Sequence, residues 1–151
     1  MTNREGQQLG NYRLLHLIGR GSFAEVYLGE HLHLDIQAAI KVLRTQFTDE
    51  EKEQFYAEAR TLARLVHPHI IRIHDFAVAD GIPFLVMEYA PNGSLRQRHP
   101  QGTSVPLATI VPYVKQVAGA LDYIHGQQLI HRDVKPENML LGRNHEVSLT
   151  E

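Results

Sequence analysis

Residues 12–18 (YRLLHLI) run apolar into Gly19, and a second apolar run, Glu25–Gly29, leaves the turn GRGSFA. Two such runs around a glycine-rich turn predict a β-hairpin. A third run, Gln37–Leu43 (QAAIKVL), carries one charge, Lys41, among aliphatic residues and predicts another strand. Thr48 followed three residues later by Glu51 is a capping box, the start signal of a helix. Downstream of it Phe55, Ala59, Leu62 and Leu65 recur at helical spacing, so the helix is predicted over Asp49–Leu65, with His67-Pro68 stopping it. Two further strands are predicted near Ile70–Phe76 and Phe84–Tyr89, joined by the turn Ala79-Asp80-Gly81-Ile82-Pro83.

From Ala90 to Val105 the periodicity fades and Pro91, Asn92, Gly93, Pro100 and Gly102 accumulate, as in a connection. Beyond it Ile110, Val114, Val117, Leu121 and Ile124 form the stripe of an amphipathic helix. Pro112 is tolerated only in a first turn, which places the start near Leu107–Val111, and Gly126 ends the helix. Leu129–Leu141 holds a polar cluster, HRDVKPEN, between two short apolar runs. Strands first and helices second predict an α+β fold in two lobes. The expected organisation is a tail over 1–11, a small lobe over 12–89, a connection over 90–105 and the start of a second lobe over 106–151.

Composition narrows the function classes. The 151 residues are 43% hydrophobic, enough for one globular domain or a small two-lobed one. Fifteen Lys and Arg against 17 Asp and Glu leave a charge of −2, which gives no support to a nucleic-acid surface. The absence of cysteine excludes disulfides, thiolate zinc sites and cysteine nucleophiles. No apolar run reaches the ~18 residues of a membrane span, and Met1–Gly10 is polar without a signal-peptide core, so a cytoplasmic chain is expected.

Four elements carry candidate chemistry. In GRGSFAEV, Gly19 and Gly21 can let backbone amides approach phosphate oxygens, although an ordinary tight hairpin turn uses the same residues. A dinucleotide-binding loop would need a helix where Val26-Tyr27-Leu28 reads as strand. Lys41 shares its strand face with Ala39 and Leu43, so it is expected to look inward and to need an anion. Glu58 falls inside the stripe Phe55, Leu62, Leu65 and would supply that anion within about 4 Å, an exposed edge position being the alternative. HRDVKPEN offers Asp133 as a candidate base, Lys135 as a cation and Asn138 as a carboxamide, an order suited to phosphoryl transfer, while a solvated turn has similar composition. The ten histidines include His31/His33 and His67/His69/His74, but no zinc pair with a catalytic glutamate, so structural or surface roles are expected.

Taken in order and spacing, GRGSFAEV, AAIK, Glu58, VMEYAPNGSL and HRDVKPEN resemble the eukaryotic-like Ser/Thr protein kinases from Tyr12 to the C-terminus. The resemblance implies a protein-kinase-like fold: an antiparallel small lobe with one helix, then the helical start of the large lobe. It implies ATP binding by Ile18, Gly19, Gly21, Ser22, Phe23, Ala24 and Val26 of the loop and its flanks, and by Ala39. Lys41 would grip the phosphates while paired to Glu58, Met87 would be the gatekeeper, and Glu88 to Ala90 the hinge. Asp133 and Lys135 would be catalytic, and Asn138 and Glu151 would hold Mg2+. The Lys135-Pro136-Glu137 sequence resembles the Ser/Thr branch, so the acceptor would be a protein hydroxyl. Two departures stand out: Ala24 replaces a loop glycine, and Glu151 occupies the position of the family's magnesium-binding Asp. A domain cut short there is expected to be inactive by itself. A pseudokinase-like ATP-binding or scaffold module is the competing class.

Overall fold

The computed structural model describes residues 3–21, 23–44 and 47–150. The chain divides into two compact units, Met1–Arg64 with Arg72–Tyr89 and Leu65–Ile71 with Ala90–Glu151. Among the described residues no helix is long and apolar enough to cross a membrane.

The first unit is an antiparallel sheet of β1 (Gln8–Leu9), β2 (Tyr12–Arg20), β3 (Ala24–His31), β4 (Gln37–Leu43), β5 (Ile73–Ala79) and β6 (Ile82–Met87), in the order β1-β2-β3-β4-β6-β5. Alternation along the strands sends Leu14, Tyr27, Ala38, Ile40, Val42, Phe84 and Val86 into one core, which Leu9 and Tyr12 close. Gly29 has no substitute there, since a Cβ would lie 2.5 Å from Ile40 Cγ1. Helix α1 (Asp49–Ala63) starts at the predicted capping box: Thr48 accepts from the Glu51 amide, and the Glu51 side chain accepts from Thr48 N at 2.7 Å. It packs on β5 through Phe55 and Tyr56, whose rings lie 6.4 and 5.2 Å from that of Phe76.

Several predicted boundaries move. The strand expected over Ile70–Phe76 is β5, which begins at Ile73, because Ile70 bridges instead to Leu149. Its partner runs Ile82–Met87, not Phe84–Tyr89, since the turn is only Asp80-Gly81. Both turn residues have positive φ, 51° and 77°, the two-residue hairpin geometry that Asp-Gly favours. Gln8–Leu9, expected in a tail, pairs with β2 and buries Leu9.

The second unit contains α2 (Leu95–Arg98), α3 (Leu107–Gly126), a 3₁₀ turn over Pro136–Asn138, and the hairpin β7 (Met139–Leu141) with β8 (Val147–Leu149). Leu95, Val117, Leu141 and Val147 form its buried cluster. The short α2 lies in the stretch read as connection and has its own capping box between Ser94 and Gln97. Pro112 sits in the second turn of α3, not the first, where it removes one helix hydrogen bond. The expected stripe is only half covered: Val117 and Ile124 are buried, whereas Ile110 and Val114 are 37% and 58% exposed.

Candidate active site

In the first unit the residues expected to meet nucleotide gather on the sheet face opposite the core. Val26 pairs with Lys41, Lys41 with Leu85, and Ala39 with Met87, so register alone brings them into one patch. Lys41 is half-buried there; the inward, deeply buried positions of β4 belong to Ala38, Ile40 and Val42. The glycine-rich turn is closed by Gly21 N donating to Ala24 O at 2.9 Å, and Ala24 is buried. Phe23 stands 81% exposed at the tip and Ile18 36% exposed beside it. Gly19 pairs across the hairpin with Val26. Ser22 lies outside the described residues.

Glu58 does not take the inward position expected of it. It is exposed, and its carboxylate accepts from Gln54 Nε2 at 3.4 Å. The buried residues of α1 are Phe55 and Ala59, with Leu62 half-buried beyond them. At 100° per residue that face centres between Phe55 and Ala59, and Glu58 falls on its flank. No ion pair joins Glu58 to Lys41 among the described residues, although Lys41 does not lack an interaction of its own.

Where the first unit ends, Met87 is buried and Glu88 exposed. Glu88 N donates to Arg72 O at 2.9 Å, and Glu88 Oε1 accepts from Arg72 N at 3.2 Å. Ala90, half-buried, begins the longer of the two stretches that form the second unit.

In the second unit HRDVKPEN folds into a tight polar cluster. Asn138 Nδ2 donates both to Asp133 O at 2.9 Å and to Asp133 Oδ2 at 3.0 Å. Lys135 Nζ lies 3.4 Å from Asp133 Oδ1. The Asn138 hydrogen bond is the largest cause that holds the Asp133 carboxyl below its usual range; desolvation opposes it, and the hydrogen bond and charge of Lys135 and the charge of His131 add to the lowering. Buried His131 fixes the backbone beneath: its Nδ1 accepts from Asp133 N at 3.1 Å. Nε2 therefore carries the proton and donates to Thr150 O at 2.7 Å. Arg132 between them has φ +71°, a conformation this ring bond helps to hold. Thr150 N returns to Asn138 O at 2.8 Å. Sequence reasoning did not find Thr150 or the Arg96–Glu137 ion pair at 3.6 Å, because both contacts depend on distant backbone placement. Glu151 lies outside the described residues. Among those described, no three His, Asp or Glu side chains cluster to hold a metal by themselves.

Compared with protein families, residues 12–151 match the protein kinase domain. The chain belongs to the protein kinase domain family. It is 39% identical over 138 residues to the serine/threonine-protein kinase PknD of Mycobacterium tuberculosis, covering 90% of this chain and 21% of that protein. To PrkC of Bacillus subtilis it is 32% identical over 144 residues, covering 94% of this chain and 22% of PrkC. A crystal structure of the Mycobacterium tuberculosis PknI kinase domain superposes with a TM-score of 0.80 at 32% identity, covering 97% of this chain and 61% of that one. The chain thus spans about a fifth of those two curated relatives and under two thirds of the solved kinase domain. The kinase-like fold, with its antiparallel small lobe, is shared along nearly all of the chain.

Proposed function

We propose that this kinase domain binds ATP with Mg2+ and transfers the γ-phosphoryl group to Ser or Thr hydroxyls of a protein, working in the cytoplasm. The observation that carries the reading is the Asp133–Lys135–Asn138 cluster. Asp133 is held ionised and exposed, so it can accept a hydroxyl proton, and Lys135 places an ammonium beside it. With Nδ2 committed to Asp133, Asn138 has Oδ1 left, a hard oxygen donor of the kind magnesium takes. Bound magnesium would neutralise phosphate charge; Asn138 is the described residue that would hold it, and Glu151 is the second candidate. On the first unit, Gly19, Gly21, Ala24, Val26, Ala39 and Lys41 would face the nucleotide, with Ile18, Ser22 and Phe23 at the loop and Met87 and Glu88 at the hinge, which Ala90 of the second unit continues. Glu58 would have to leave its exposed position to pair with Lys41.

The exposed position of Glu58 favours a second reading, a nucleotide-binding module without catalysis. Two measurements separate the readings. Titration with a fluorescent ATP analogue should saturate, and Lys41→Ala should weaken it by about tenfold or more, the value of one charge-assisted phosphate contact. Unchanged affinity would remove Lys41 from the site. Label transfer from ATP to a Ser/Thr-containing basic protein, assayed in a chain that continues through the rest of the kinase domain, should fall about 10²-fold or more in Asp133→Ala. Saturable binding with no Asp133-dependent transfer would select the second reading.

A further inference from the structure

The outer edge of β8 is completed by side chains where the backbone cannot reach it. Ile70 and Leu149 form a parallel bridge: Leu149 N donates to His69 O at 2.8 Å and Ile71 N donates to Leu149 O at 2.9 Å. Continued two residues back, a parallel ladder would pair Val147 with His69 N and His67 O. Neither bond forms among the described residues. His69 N is taken by the His67 ring, donating to Nδ1 at 3.0 Å, and His67 O accepts from Ile70 N at 3.2 Å. Pro68 between them can donate nothing. Val147 is a buried residue, and both its backbone groups still find partners. Its N–H donates to Gln116 Oε1 of α3 at 2.7 Å, and its carbonyl accepts from His69 Nδ1 at 2.8 Å.

We infer that His69 is a positioning residue, whose Nδ1–H replaces the missing ladder bond and sets the path of β8 towards the metal-binding end of the site. Four residues carry that path: Val147 is held by His69 and Gln116, and Thr150 by His131 Nε2 and the Asn138 carbonyl. Asn138 in turn holds Asp133, so the exit of β8 and the catalytic cluster share one hydrogen-bonded frame within the second unit. The inference rests on reading that cluster as a magnesium–nucleotide site.

The test compares His69→Leu, which keeps bulk and loses the donor, with His69→Asn, whose Nδ2 stands where Nδ1 stood. Amide exchange at Leu149 and Thr150 should accelerate about tenfold in His69→Leu, the equivalent of one hydrogen bond. The gain in ATP affinity on adding Mg2+ should shrink several-fold, with metal-free affinity unchanged. His69→Asn should restore both. Wild-type exchange rates in His69→Leu would overturn the inference, and so would a His69→Asn chain as impaired as His69→Leu. Nitrogen NMR of the unaltered chain gives a check that needs no variant: His69 must be the Nδ1–H tautomer, and an unprotonated Nδ1 at neutral pH refutes the role. A wild-type chain that bound no nucleotide would overturn the proposed function, while the exchange and tautomer results would still decide the placement of β8.

Discussion

The Asn138 carboxamide is the largest of several influences on the acid strength of Asp133. Because Asn138 first, and Lys135 and His131 after it, hold the Asp133 carboxyl below the usual carboxylate range against the desolvation that ranks second, the ionised form is the one the folded loop favours. The sign follows: this stabilisation is present above the ordinary carboxylate pKa and is lost as pH falls through the depressed folded value. Carbon NMR titration of Asp133 should therefore give a midpoint below that of a free aspartate, and Asn138→Ala should move it upward. His67 runs the other way. Burial first, and the neighbouring His69 second, lower its pKa, so the folded chain prefers neutral imidazole, with Nδ1 free to accept from His69 N. Its ring faces His69 and Tyr123, at 5.8 and 5.3 Å between centroids. Stability should fall as pH drops from the ordinary histidine range, ~6.5, towards the lowered folded value. His67→Asn keeps an acceptor that does not titrate, so its Tm should decline less than wild type between pH 7.5 and 5.5; parallel declines would refute the assignment. Asp133, Lys135 and Asn138 were legible as a cluster because they lie within six residues of chain. Glu58 was misread for a geometric reason: an i, i+3, i+4 pattern marks a face about 100° wide, and a residue on its flank meets the same spacing as one at its centre.

Elements with local signals were readable to within a residue or two. Helix α1 begins where Thr48 and Glu51 predicted, since a capping box is a contact between near neighbours. Removing half of it with Thr48→Ala should lower stability by about 1 kcal/mol, measured by denaturant unfolding, with exchange accelerated first in the amides of Glu50 and Glu51. An unchanged midpoint would mean that packing of Phe55 and Ala59 alone fixes the start. Other boundaries were not legible, because distant chain decides them. Ile70 and Ile71 look like strand residues, and they do pair, but with Leu149, some 80 positions away. The strand that joins β6 could therefore begin only at Ile73. Helix α2 was hidden by its four-residue length, although Ser94 and Gln97 carry the same capping signature as α1.

On the scale of the whole molecule, the sequence led to two units and a kinase-like plan, yet it could not say how much of α3 finds cover. The stripe Ile110, Val114, Val117, Leu121, Ile124 is continuous in the pattern and divided in the structure. Its C-terminal half packs with Leu141 and Val147, while Leu107, Ile110, Val111 and Val114 remain 73%, 37%, 40% and 58% exposed. These four positions repeat at 3, 1 and 3 residues, so they form one contiguous apolar strip on the first two turns of α3. Apolar strips approaching a few hundred Å² drive association in water. A net charge of only −2 supplies little repulsion to oppose it. Sedimentation velocity of the 151-residue chain should accordingly show mass increasing with concentration across the tens-of-micromolar range. Replacing Val114 with Lys puts a charge at the middle of the strip without touching the buried Val117, Ala120 or Ile124. That variant should sediment as a smaller species at equal concentration, with its melting midpoint unchanged. A wild-type chain that remains monomeric throughout, or a Val114→Lys chain that associates as strongly, would show that the exposed half of α3 is not the surface through which copies of the chain meet.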